Sequence, residues 1–355
     1  MKINISKSII ENILIHAGPF LEKKDTSQIT SHIYLNVSNN NLSIKATDYE
    51  IGFLVQTQDV EIFESGEITA NGKKFLDIIK ILKNDTVTLE SIDNYLHITQ
   101  AKSKFKLPTF AYNEFPSFPQ YDQNSKLSIN SQILIESLKK ITPTIDNNNP
   151  KFELNGALMD IQANTITFAS TDTKRLAVVN IENTNTKELS IIIPKKAIVE
   201  IQKLFFDEIE IFYDETNLII TSQQYTFFTK LINGKFPAYE RIIPKDIQHS
   251  YLLPKTTMIE SFKQITTIAN DIKLTFFQDT ITFEALSDDN IEAKTQITFQ
   301  TNFEEPFELA INSRFVLDFL NVLDTPEFNI ELNSSNLPFI LSSNNFKTVI
   351  MPIIL

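Results

Sequence analysis

One arrangement of residues recurs three times along these 355 residues, at a period of about 120, and it constrains the fold more than any other feature. Each copy opens with apolar residues at helical spacing, at 8–17, 133–142 and 257–266. Ile10, Ile13 and Leu14 mark the first stripe, and Ile259, Phe262 and Ile265 the third. Ser8 with Glu11, and Thr257 with Glu260, stand at the spacing of a capping box, which predicts helix starts there. A strand then ends in a polar step, Thr47-Asp48, Thr171-Asp172 and Ser287-Asp288. Next comes a strand running into a second helix at 68–82, 191–205 and 309–323, aligned on Asp77, Glu200 and Asp318. Asn71 and Asn312 suit its N-cap, and Pro194 its first turn. Alternating runs rich in β-branched and aromatic residues close each copy and read as antiparallel strands. The expectation is an α+β protein of three repeated domains, 1–124, 125–246 and 247–355, each with two helices. Proline-bearing polar stretches at 115–125 and 244–250 separate them.

Composition removes whole classes of function. There is no cysteine, so disulfides and thiolate metal sites are excluded and a cytoplasmic location is expected. The N-terminus lacks the pattern of a signal peptide, and no apolar run approaches the 18 residues of a membrane span. His16, His32, His97 and His249 share no metal-ligand spacing. The stretch GEITANGKK has the wrong spacing for a phosphate loop, and six glycines are too few for a dinucleotide fold. Asp288-Asp289 falls on a strand-exit turn, where aspartate supports its own backbone. No catalytic residue, metal or cofactor is expected.

The net charge of −12 argues against a tight nucleic-acid binder until the charges are located. The six helical segments carry +7 between them, which leaves −19 on the rest of the chain. Lys73, Lys74, Lys80, Lys83, Lys139, Lys140, Lys195, Lys196, Lys203, Lys263 and Arg314 supply most of the positive charge. If the repeats are pseudo-symmetric, their helices line one surface that attracts a phosphate backbone, while the acidic remainder repels it.

Three segments then resemble a known family. ASTDTKRLAVV (169–179), NGKFPAYERIIP (233–244) and the terminus VIMPIIL (349–355) are similar to segments of the bacterial DNA sliding clamp, the β subunit of DNA polymerase III. FELNGALMD (152–160) and IIIPKKAIVEI (191–201) add to the resemblance, which runs in order along the whole chain. It implies a DNA clamp fold and a head-to-tail homodimeric ring that encircles double-stranded DNA without reading its sequence. Such a ring is a processivity factor for the replicative polymerase catalytic subunit, is opened by a clamp loader, and hydrolyses nothing itself. Twelve helices at spacings of ~10 Å would leave an opening of roughly 28 Å, wide enough for a duplex.

The resemblance also implies sites. A pocket for partner peptides, shared by repair polymerases, mismatch repair proteins and ligase, would use Leu154, Thr171, Arg175, Leu176, Pro237, Arg241 and Ile242. Val349, Met351, Pro352, Ile353 and Leu355 would complete it, with Arg175 and Arg241 holding peptide carbonyls or acids. DNA would be faced by Lys23, Lys73, Lys74, Lys139, Lys140, Lys151, Lys195, Lys196, Lys263 and Arg314. The subunit contact would join Phe105 and Leu107 to Ile268. The chain departs from the family pattern at Glu153, Thr173, Lys174, Phe315 and Ile354, which puts the peptide preference and one DNA contact in doubt. On the residues alone two other readings stand beside this one: a solenoid-like or ring-shaped scaffold that binds only proteins, and an enzyme whose acidic cleft takes a sugar or cation.

Overall fold

Strand runs directly into helix at five of the six helix starts. The computed structural model describes residues 1–183, 188–286 and 292–354. In chain order the first repeat carries β1 (Lys2–Ser6), α1 (Lys7–Ala17), β2 (His32–Ser38), β3 (Asn41–Thr47), β4 (Ile51–Thr57), β5 (Val60–Glu64) and β6 (Gly66–Asn71). It continues with α2 (Gly72–Ile81), β7 (Thr86–Ile92), β8 (Tyr95–Gln100) and β9 (Ser103–Pro108). The second repeat carries β10 (Ser125–Leu127), α3 (Ser131–Ile141), β11 (Gly156–Ile161), β12 (Thr165–Thr171), β13 (Arg175–Glu182) and β14 (Leu189–Pro194). Its remaining elements are α4 (Lys195–Leu204), β15 (Glu210–Tyr213), β16 (Asn217–Thr221) and β17 (Tyr225–Lys230). The third repeat carries β18 (His249–Pro254), α5 (Lys255–Thr266), β19 (Asp271–Phe277), β20 (Thr280–Ala285), β21 (Lys294–Thr298) and β22 (Phe307–Asn312). It ends with α6 (Ser313–Asn321), β23 (Glu327–Leu332), β24 (Phe339–Ser343) and β25 (Phe346–Ile350).

The helix starts correct part of the sequence reading. Asn71 and Asn312 do cap α2 and α6, their side chains accepting from the backbone N–H of Lys74 and Arg314. The two capping boxes do not form. α1 starts at Lys7 and α5 at Lys255, straight out of the preceding strands, so Ser8 and Thr257 already lie inside the helix. Glu11 instead pairs with Lys7 one turn earlier, at 2.5 Å. Pro194 ends β14, one residue ahead of the position expected for it. Ser287, Asp288 and Asp289 lie outside the described residues.

Two compact units emerge, Met1–Ile133 with Lys196–Leu231, and Leu134–Lys195 with Ile232–Leu355. In unit 1, β5-β1-β7-β8-β9 form one sheet and β10-β15-β16-β17-β4-β3-β2-β6 another. The strands of this unit alternate between core and solvent, as β1 does in Ile3 and Ile5, and α1 packs beside α2. In the core Phe20 stacks on Phe53 at 5.2 Å and meets Phe227 edge-on at 6.0 Å between ring centroids. Hairpin turns at Asn39-Asn40 and Asp93-Asn94 hold both residues at positive φ, the twist that a two-residue hairpin needs.

Unit 2 repeats the plan. Its sheets run β14-β11-β12-β13-β25-β24-β23-β18 and β21-β20-β19-β22, and α5 packs beside α6. Its core is again phenylalanine-rich: Phe262 sits edge-on to Phe283 at 5.3 Å, and Phe319 stacks on Phe346 at 4.9 Å. Each long sheet thus joins strands of two consecutive repeats. Among the described residues no helix is long and apolar enough to cross a membrane.

Candidate functional site

The eight-stranded sheet of unit 2 gathers an apolar cluster from residues scattered over almost two hundred positions. Antiparallel register brings Ile192, Leu158, Ala169 and Val178 into one cross-strand row. Leu176, Val349 and Ile340 form a second row. Leu154 and Phe236 complete a cluster whose members are all buried. Over it runs the segment 232–247, whose Ile232, Tyr239, Ile243 and Ile247 pack half-buried against the rows. Gly234 opens that segment at φ +153°, a backbone conformation that side chains resist. Burial and the neighbouring Glu240 raise the Tyr239 hydroxyl to about 12, so it stays a neutral donor.

A tight turn between β12 and β13 builds one rim. Thr171 donates its hydroxyl to the Arg175 carbonyl at 2.7 Å and accepts from the Thr173 N–H at 3.1 Å. Asp172 accepts from the N–H groups of Lys174 and Arg175. Thr173 is held at φ +71°, a conformation that a β-branched residue adopts only under strain. The Lys174 carbonyl accepts from the Met351 N–H at 2.9 Å, and the Ala310 carbonyl accepts from Ile353 at 2.7 Å. The chain end is therefore pinned on both sides, with Met351 45% exposed and Pro352 and Ile353 half-buried.

These positions sort the expected pocket residues. Leu154, Leu176 and Val349 are cluster members, and Thr171 and Met351 stand at the rim. Pro237, Arg241 and Ile242 stand exposed on the covering segment. Leu355 lies outside the described residues. Arg175 is engaged within the chain. It donates from Nε to Asp172 at 3.0 Å, from Nη1 to Asp318 at 2.8 Å and from Nη2 to the Pro143 carbonyl at 2.7 Å. Its guanidinium lies 4.3 Å over the Phe315 ring. Three of its five donors are thus taken, so it braces the rim and keeps two N–H donors beyond these bonds. The sequence reading missed Leu158, Ala169, Val178, Ile192, Phe236 and Ile340. Leu158 and Ala169 lie in the apolar runs ALMD and TFAST, which gain meaning only once the register is known.

The basic residues divide as well. Lys23, Lys73, Lys74, Lys139, Lys151, Lys263 and Arg314 are exposed. Lys140 is half-exposed and reaches the Asn345 side chain at 3.4 Å. Lys196 is exposed but paired with Asp48. Lys195 departs from expectation: it is half-buried and donates to the Ile145 carbonyl at 2.6 Å, and burial lowers the pKa of its ammonium.

Of the expected subunit-contact residues, Ile268 is 42% exposed just beyond α5, and Phe105 is half-buried on the edge strand β9. Leu107 is only 5% exposed within its own repeat, so its first role is in that core. Ile81, 72% exposed at the end of α2, escaped the sequence reading because a stripe of apolar residues reads as core.

Residues 1–119, 128–238 and 240–354 match the family models of the N-terminal, central and C-terminal domains of the DNA polymerase III beta subunit. The Helicobacter pylori beta sliding clamp is 38% identical over 378 residues, covering all of both chains. A Pseudomonas putida beta sliding clamp is 26% identical over 360 residues, covering 98% of this chain and 97% of its own. A crystal structure of the H. pylori beta clamp bound to a DNA ligase peptide superposes with a TM-score of 0.93 at 38% identity, covering all of both chains.

Proposed function

The chain belongs to the DNA polymerase III beta-subunit family, the bacterial sliding clamps, and from that premise we propose that two copies close head to tail around double-stranded DNA. The observation that carries this reading is an unfinished pattern of sheet joints. In unit 1, β4 of the first repeat pairs with β17, the last strand of the second. In unit 2, β13 of the second repeat pairs with β25, the last strand of the third. The registers agree, with Gly52 facing Phe228 where Leu176 faces Val349. By the same rule the last strand of the first repeat, β9, should pair with β21 of the third. In this chain both are sheet edges. An open edge presents a row of unpaired N–H and C=O groups, and a second copy satisfies both edges at once. Phe105, Ile81 and Ile268 supply apolar surface for that joint.

Domains 1–124, 125–246 and 247–355 are the repeating units of the ring, and the exposed helix lysines face the phosphate backbone without reading bases. The apolar hollow of unit 2 takes a partner's short peptide, supported by the H. pylori relative's complex with a DNA ligase peptide. The ring confers processivity on the replicative polymerase catalytic subunit and is opened by a clamp loader. Other proteins with the same peptide motif, such as repair polymerases, mismatch repair proteins and ligase, compete for the hollow. It acts in the cytoplasm, with no cofactor and no chemistry of its own.

Register makes the closure testable. Val179 faces Phe346, and the adjoining pair is hydrogen-bonded, because the Asn180 N–H donates to the Asn345 carbonyl. Val55 faces Tyr225 in the same way. The matching positions across the proposed joint are Ser103 and Lys294, a non-hydrogen-bonded pair with Cα atoms about 4.5 Å apart. That separation suits a disulfide, and the chain has no other cysteine to interfere. The double variant Ser103→Cys, Lys294→Cys should form covalent dimers on mild oxidation, whereas neither single variant should. Monomers that persist after oxidation of the double variant would rule out this joint.

A further inference from the structure

The repeat register places a second cleft of different chemistry in unit 1. Tyr34 faces Lys45 in the first repeat where Leu158 faces Ala169 in the second. Thr69 faces Tyr34 where Ile192 faces Leu158. The frame that carries apolar rows in unit 2 therefore carries a phenol, an ammonium and a hydroxyl in unit 1. The row that Leu176 and Val349 fill is here closed by Phe228, whose ring lies 2.0 Å from where a Cβ on Gly52 would sit. What remains is a cleft of about 320 Å³ lined by Lys45 and the segment Ser117, Phe118, Pro119, Gln120, Tyr121 and Asp122. Phe118 is fixed edge-on to Phe228 at 4.9 Å, and Tyr121 lies against Phe212 at 5.1 Å, so the wall is held in place.

Lys45 is the unusual residue. It is half-buried, and its ammonium lies 5.5 Å from the Tyr34 ring centroid and 5.4 Å from that of Phe118. Among the described residues no carboxylate lies within ion-pair distance of it, at 4.0 Å or less. Glu67, whose charge it feels, is engaged by the Tyr34 hydroxyl and by the Asn36 amide at 3.1 Å. Burial lowers the pKa of the Lys45 ammonium. Two ring faces recover only part of the hydration that such a cation loses.

We infer that this cleft binds a single carboxylate of a partner peptide, an aspartate or glutamate side chain, with an apolar neighbour seated on Phe118 and Pro119. One ammonium matches one negative charge. A phosphomonoester dianion would bring a second charge beside Asp122 and Glu67, which disfavours a phosphorylated peptide here. That the ligand is a peptide rests on the peptide reading of the equivalent hollow in unit 2.

The test uses the full chain with its lysines reductively methylated with labelled carbon, observed by proton–carbon correlation spectra. The Lys45 resonance is assigned by its loss in Lys45→Arg, which keeps the charge. Probes are acetyl-Leu-Asp-Phe-amide, its Asn counterpart and free acetate. The inference predicts a saturable shift of the Lys45 resonance with the Asp peptide, and binding about tenfold or more weaker with the Asn peptide. Calorimetry should show the Asp peptide binding Lys45→Arg but not Lys45→Met. No shift of Lys45 up to about 10 mM peptide, a range that reaches very weak binding, would overturn the inference. So would equal binding of the Asn peptide, or acetate matching the affinity of the Asp peptide. Shifts at Lys174 or Lys347 without Lys45 would place the peptide in the unit 2 hollow, sparing that reading and ending this one.

Discussion

Replacing Arg175 by alanine separates a strut from a peptide ligand. The guanidinium side chain is 6% exposed and is tied to two carboxylates and a carbonyl. Removing it leaves Asp172 and Asp318 facing each other's charge without a cation, and exposes one face of Phe315. Breaking a buried ion pair from one side costs about 3–5 kcal/mol. Asp172 and Asp318 keep 22% and 28% of their side-chain surface in water, so the low end applies, about 3 kcal/mol. Urea denaturation of Arg175→Ala, followed through the transition of unit 2, should show that loss. Peptide affinity should fall with it, because the turn carrying Thr173 and the Lys174 carbonyl loses its support. A variant within about 1 kcal/mol of the wild type that nonetheless fails to bind peptide would refute the strut and make Arg175 a direct contact.

Two further predictions are local. Burial, helped by the charge of Lys74, pushes the buried His32 down to about 4, whereas the unfolded chain takes up that proton near 6.5. Between those values the unfolded state binds more protons, so the contribution is complete above pH 6.5 and is lost as pH falls toward 4. About 3 kcal/mol is at stake; unfolding midpoints of wild type and His32→Gln should converge over that window, and parallel pH curves would contradict the assignment. Thr173→Gly should raise stability by about 1 kcal/mol, since a β-branched residue at φ +71° pays more than glycine does there. A thermal melt that shifts downward would show that Thr173 makes compensating contacts.

Much of the architecture was legible in the sequence because it is periodic. Three copies of helix, strand step, strand-to-helix and strand run gave the elements and the Asn71 and Asn312 caps. The strand-to-helix junctions at Ser6 and Pro254 were not legible, because a continuous chain enters the helix before any capping residue signals it. Leu176 and Val349 could be named through resemblance, whereas their row partner Ile340 needed the register. The intrachain bonds of Arg175 and Lys195 were hidden for a shared reason. Their partners Asp318 and the Ile145 carbonyl lie 143 and 50 residues away, and a charge read locally looks free. The Lys45 cleft was invisible for the converse reason: its rings, Tyr34 and Phe118, come from separate stretches.

Encirclement is a topological property, and a circular duplex tests it directly. The protein is incubated with nicked circular DNA, a bacterial clamp loader and ATP, then separated from free protein by gel filtration at rising salt. A closed ring should stay with the circle at salt concentrations that screen its lysine contacts, and should be lost when one cut makes the circle linear. Equal retention before and after linearisation, or loss from the intact circle in step with salt, would mean that the protein holds DNA by its surface and does not encircle it.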